Sequence, residues 1–160
     1  MTGGTIIFTN VLPNTLQNYS LDANIPLNNL TVTGATGVGL SATINLVISP
    51  LELNGTLTLG NSNSIFNTNS IDVSIKGNLV NNGSYNYGSN TTTFNGGLQS
   101  ISGTTTTNFY NLSLYSTNSL TVNNSFTVGQ HLIIASGNLN LGNKLVTLFG
   151  NLTKQRIVLR

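Results

Sequence analysis

A repeat of about 27 residues constrains this chain more than any other feature of its sequence. Three segments share a small or polar residue, a glycine, and two large apolar residues separated by single spacers, closed by a second glycine. They are Asn54-Gly55-Thr56-Leu57-Thr58-Leu59-Gly60, Asn82-Gly83-Ser84-Tyr85-Asn86-Tyr87-Gly88 and Ser136-Gly137-Asn138-Leu139-Asn140-Leu141-Gly142. The leading glycines are 28 and 54 residues apart, so the longer gap holds two units, the hidden one carrying Leu112 and Leu114. Counting back from Gly55 reaches Asn28, followed by Leu30 and Val32. Five units are therefore expected, starting at 28, 55, 83, 110 and 137. A solenoid must repeat at such an interval, whereas a helix bundle or a sandwich has no reason to.

Within each unit the apolar residues alternate with polar ones, the period of a strand. The first full unit offers Leu30 and Val32, Val38 and Leu40, Ile44 and Leu46, then Leu51 and Leu53. The unit at 110 offers Leu112 and Leu114, Leu120 and Val122, Phe126 and Val128, then Leu132, Ile133 and Ile134. Coils stacked as parallel strands would superpose such columns and shield a common interior. Gly60, Gly88, Gly142 and the neighbouring asparagines are expected at the corners, where their turn conformations are cheap. Helices are disfavoured, because the polar residues are mostly Asn, Thr and Ser and only 5% of the chain is charged.

The expected fold is thus all-β: a parallel β-solenoid, a right-handed β-helix of about five coils of about 27 residues. Residues 1–27 fit the columns loosely, with Pro13 and Pro26 set to interrupt a ladder, and read as an irregular N-terminal cap or partial coil; residues 28–160 read as the repeat coils of one domain. The inward stacks expected are Leu30, Leu57, Tyr85, Leu112 and Leu139, beside Val32, Leu59, Tyr87, Leu114 and Leu141.

Composition narrows the function classes. A formal charge of +2 with no basic stripe argues against nucleic-acid partners, despite a pI near 9.2. Three of the five basic residues, Lys154, Arg156 and Arg160, gather at the C-terminus and read as a solubilising end. The absence of cysteine removes disulfides and thiolate metal sites. No segment reaches the roughly 18 apolar residues of a membrane span, so membrane insertion is not expected, and residues 1–20 lack the basic start and apolar run of an export signal.

Phe94-Asn95-Gly96, followed by Gln99, Ile101, Ser102-Gly103, a threonine tract and Phe109-Tyr110-Asn111-Leu112, resembles the β-strand-repeat proteins that gliding and related Gram-negative bacteria carry on their surfaces. A looser copy runs through Phe8-Thr9-Asn10, Gln17, Ser20-Leu21, Ile25 and Leu27-Asn28-Asn29-Leu30. The chain is also similar to the wider class of filamentous-haemagglutinin-like adhesins, whose shafts are β-helices; phage fibres share the style. The resemblance implies a structural or adhesive module of a secreted or cell-surface repeat protein. Its partners would be cell-surface glycans or other copies or modules of the same surface protein. The alternatives are a ligand-binding β-solenoid recognising glycan or ice, and a phage-fibre-like shaft.

No catalytic, cofactor or metal site is expected. The only acids are Asp22, Glu52 and Asp72, with Asp72 outward between Asn45 and Ser100 and Glu52 in another column, so that no carboxylate pair forms. His131 is the sole histidine and reads as a turn or surface residue. Thr31, Thr33, Thr56 and Thr58 start an ice-type row that Ser84, Asn86 and later asparagines interrupt. Tyr85 and Tyr87 occupy a column otherwise filled by leucine or valine, which places them in the core. A one-residue slip would turn them outward, where they would form a glycan platform with Tyr110 and Tyr115.

Overall fold

A computed structural model describes residues 3–12, 15–37 and 40–155, and they contain no helix. Every strand pairing is parallel. The chain winds through about seven turns of a β-solenoid with three faces. The first face stacks β1 (Thr5–Thr9), β3 (Asn29–Thr33), β6 (Leu57–Leu59), β9 (Leu79–Asn81), β12 (Leu98–Ser102), residues 119–122 of β13 (Thr107–Val122) and residues 138–140 of β14 (Phe126–Asn140). The second stacks β2 (Gln17–Leu21), β4 (Ala42–Leu46), β7 (Ser64–Asn67) and β10 (Ser84–Asn86), above which lie 107–109, 126–128 and β15 (Val146–Leu148). On the third, an isolated bridge from Leu27 to Leu53 leads into β5 (Leu51–Leu53), β8 (Val73–Ile75), β11 (Thr91–Phe94), 111–114, 131–134 and β16 (Asn151–Lys154). At about 4.8 Å per strand the described coils make a rod roughly 30 Å long.

Alternation sorts the side chains. On every face of the middle coils the alternate apolar residues are buried, as with Leu30 and Val32, Ile44 and Leu46, Leu51 and Leu53, and Leu112 and Leu114. Large rings run up the interior of the second face. Phe66 stacks on Tyr85 at 5.6 Å between centroids, Tyr85 meets Phe109 at 5.7 Å, and Phe109 meets Phe126 edge-on at 5.7 Å. These offsets suit aromatic quadrupoles, and each contact adds about 0.5–1.5 kcal/mol to plain burial.

The constant period does not survive. Leu30 meets Leu57, 27 residues on, but Leu57 meets Leu79 and Leu79 meets Ile101, each 22 on, and Leu120 meets Leu139 after only 19. About seven turns therefore replace five coils. Of the two expected stacks only the first pairs stand, Leu30 on Leu57 and Val32 on Leu59; the next coil contributes Leu79 and Asn81. Tyr85 belongs to the second face beside Phe66, and Leu112 to the third beside Leu132. The cause is the corners: those after β1 and β3 are long, whereas β13 and β14 run through their corners as nearly continuous strand. Gly60, Gly88 and Gly142 do lie just beyond strands, at corners.

The described residues before Asn28 also pair more regularly than expected. Five residues of β1 align with β3, and five of β2 align with β4. Pro26 lies in a corner before Leu27, where its missing N–H interrupts no ladder. Pro13, Val38, Arg156 and Arg160 lie outside the described residues.

Candidate functional site

The outward surface of the first face is a polar ladder. Asn29 Oδ1 accepts from Thr56 N (2.8 Å), Thr56 Oγ1 from Asn78 N (3.2 Å), and Asn78 Oδ1 from Ser100 N (2.8 Å). The second face repeats the device with amides alone: Asn86 Nδ2 donates to Asn67 Oδ1 and Asn67 Nδ2 to Asn45 Oδ1, both at 2.8 Å. Asparagine-rich coils thus bond side chain to side chain along the axis, as stacked asparagines do in cross-β ladders. Of the threonines in the expected ice-type row, Thr31 and Thr58 are in register, but the next place holds Val80. Thr33 stands beside Gly60, where an added Cβ would lie 2.7 Å from its Oγ1, and Thr56 is committed to the asparagine ladder.

The third face and the corner leading into it gather most of the chemistry. Glu52 stands over Ser74 and so falls in a different column from Asp72, as expected, but both line one cleft of about 130 Å³ with Pro50, Ser74 and Thr93. Pro50 and Glu52 also border a second cleft of about 280 Å³, whose other wall is formed by residues 23–26. Asp72 Oδ1 accepts from Thr91 N at 2.7 Å, so its neighbour is Thr91 and not Asn45 or Ser100. Asp22 Oδ1 accepts from Ser49 N at 3.0 Å on the same corner. Each carboxylate thereby caps the backbone of the next coil. His131 is exposed on this face, in register between Asn111 and Asn151, and its N–H donates to Asn111 Oδ1 (3.2 Å). Among the described residues no group of three or more His, Asp or Glu is placed to hold a metal ion.

The four tyrosines separate. Tyr85 is buried, and its hydroxyl lies 2.7 Å from Thr92 Oγ1. Tyr87, expected beside it in the core, is 43% exposed and forms a tilted pair with Tyr110, 6.5 Å between centroids. β10 ends at Asn86, and Gly88 N donates to Thr68 Oγ1, so the chain is already turning at Tyr87. One coil earlier that place holds Thr68, small enough to stay buried. Tyr115 is 56% exposed and lies at a different corner, just after the third-face segment 111–114. The aromatic edge that the structure assembles is therefore Tyr87 with Tyr110. Polar side chains inside the core, notably Asn81 bonded to Thr107 and Gln99 bonded to the carbonyls of Ile75 and Gly77, were not anticipated. Their only trace in the sequence is a polar residue at an inward place of the alternation.

Burial pushes the Tyr85 phenol up to about 12, against a smaller opposing effect of its bond to Thr92. A raised value means that the fold favours the neutral phenol. The stabilisation is complete below about pH 10 and is lost as pH climbs toward 12, a loss of about 2–3 kcal/mol. Denaturation curves between pH 8 and 12 should show this decline in the wild type and a shallower one in Tyr85→Phe.

Comparison of the chain with family models, with curated proteins and with solved structures returned no match. The fold and surface define its class, a parallel β-solenoid with hydrogen-bonded Asn, Thr and Ser ladders.

Proposed function

We propose that this chain is a rigid structural and adhesive module of a secreted or cell-surface repeat protein. The observation that carries this reading is the run of outward Asn, Thr and Ser ladders over a parallel stack, a surface rich in hydrogen-bonding groups and poor in charge. Such a surface meets polyhydroxylated partners by many weak contacts, and strength comes from repetition of modules. The Tyr87–Tyr110 edge is the place where a sugar ring would find an apolar face beside the polar ladders.

A glycan array and a polysaccharide turnover assay on the isolated module test the reading. Weak glycan binding is expected, falling at least about tenfold in a Tyr87→Ala/Tyr110→Ala variant, the effect of losing roughly 1.4 kcal/mol. Asp72→Asn and Glu52→Gln should leave binding within about twofold. Release of product from a polysaccharide, abolished in either carboxylate variant, would instead make the module an enzyme.

A further inference from the structure

We propose that Asn86 selects the glycan held at the Tyr87–Tyr110 edge, and that the edge takes a neutral, glucose-configured chain and rejects an acidic one. The inference rests on the sugar-binding reading of that edge and adds the hydrogen bond that chooses among sugars. Its basis is the direction of the second-face amide ladder. Asn86 Nδ2 donates to Asn67 Oδ1 and Asn67 Nδ2 to Asn45 Oδ1, both at 2.8 Å, and Asn45 Nδ2 donates in turn to Tyr19 O at 3.5 Å. Each amide nitrogen thus points to the preceding coil, and the oxygens of Asn67 and Asn45 are each taken by the following one. Phe109 packs on Tyr85 at 5.7 Å, so the residues after them, Tyr110 and Asn86, share the outward side of successive coils. Tyr110 ends the ladder there, because a phenol has no amide to continue it. Among the described residues no hydrogen bond reaches Asn86 Oδ1, and Asn86 is exposed and directly precedes the exposed Tyr87.

Amides linked in one direction polarise one another, and the amide that heads the row gains electron density on its own oxygen. A ring resting on the tyrosine pair therefore meets a strengthened acceptor and must present a donor, which a hydroxyl is and a carboxylate is not. Charge points the same way. Residues 17–21, 42–46, 64–67, 84–86, 107–109, 126–128 and 146–148, which form the second face, include no charged side chain, so nothing on that face neutralises an acidic sugar. A carboxylate brought against Asn86 Oδ1 would give up water and meet only another acceptor. The tyrosines in turn require a ring with a C–H face, and a pyranose with equatorial hydroxyls supplies one.

NMR titration of the whole chain with a cello-oligosaccharide, and with the same oligosaccharide oxidised to carboxylates at C6, tests the proposal. The neutral chain should bind at least about fivefold more tightly than the oxidised one. Asn86→Ala should weaken neutral binding by about threefold to tenfold, the span of one hydrogen bond, and narrow the gap between the two probes. Asn67→Ala removes the acceptor that orients Asn86; it should weaken binding by about twofold alone and have no further effect when combined with Asn86→Ala. Circular dichroism establishes that each variant folds, and Asn86→Lys gives a second measurement, since a cation at that place should reverse the preference toward the oxidised chain. Tighter binding of the oxidised chain by wild type would overturn the proposal. So would an Asn86→Ala variant that binds as wild type does while Tyr87→Ala/Tyr110→Ala loses binding, an outcome that leaves the sugar-binding reading standing. Binding of neither probe would overturn it as well, whereas failure of the wider reading shows as an empty glycan array.

Discussion

Replacing Phe109 with alanine should lower the free energy of unfolding by about 3–5 kcal/mol. Its ring is fully buried and is gripped on both sides, by Tyr85 at 58° and by Phe126 at 79°, both at 5.7 Å. In a solenoid each coil is fixed by the hydrogen bonds of the coils above and below. The backbone therefore cannot collapse into the vacated space without shifting several strands, and the cavity persists. Thr58→Ala on the outward first face removes no core atom and should change stability by less than about 0.5 kcal/mol. Chemical denaturation of the two variants decides the matter; equal losses would mean that the inward and outward faces are wrongly assigned.

Gly103→Ala should be comparably damaging, at about 2–5 kcal/mol, for a backbone reason. Gly103 has φ near +116°, a conformation that side chains resist, and a Cβ there would lie 2.1 Å from the carbonyl oxygen of Asn81. That carbonyl also accepts from Thr105 N at 3.1 Å, while the Asn81 amide donates to Thr107 and accepts from Gly83 N. Moving the corner away would loosen this set of bonds between two coils. Gly97→Ala is the matched control, since nothing lies within 4 Å of the position its Cβ would take. It should be neutral or slightly stabilising, because alanine restricts the unfolded chain. Thermal melting of the pair separates the two effects.

The candidate site was legible in parts. Tyr85 was expected in the core and lies there, because a two-residue alternation within a strand is a local property. Tyr87 was assigned to the same column and is exposed, because the strand ends between them and the turn at Gly88 resets the alternation. Glu52 and Asp72 are twenty residues apart in the sequence; their common cleft depends on a coil length of 22 at that point, as in Leu51 on Val73, and not on 27.

By itself, then, the sequence determined the strand character, the parallel stacking and which residues of each strand face inward, since these follow from side-chain period and from the scarcity of helix formers. Tertiary structure alone decided which strand lies over which. Three faces carry the same apolar-polar pattern, so Leu57, Tyr85 and Leu139 look equivalent along the chain although Tyr85 lies on another face. Register between coils is set by how many residues each corner absorbs, and corners of Asn, Ser, Thr and Gly accept very different lengths at little cost. Inter-coil hydrogen bonds and ring stacking fix that number only once the coils are in contact, which is why the Phe66–Tyr85–Phe109–Phe126 column and the Tyr87–Tyr110 edge exist in the folded solenoid and in no regular spacing of the sequence.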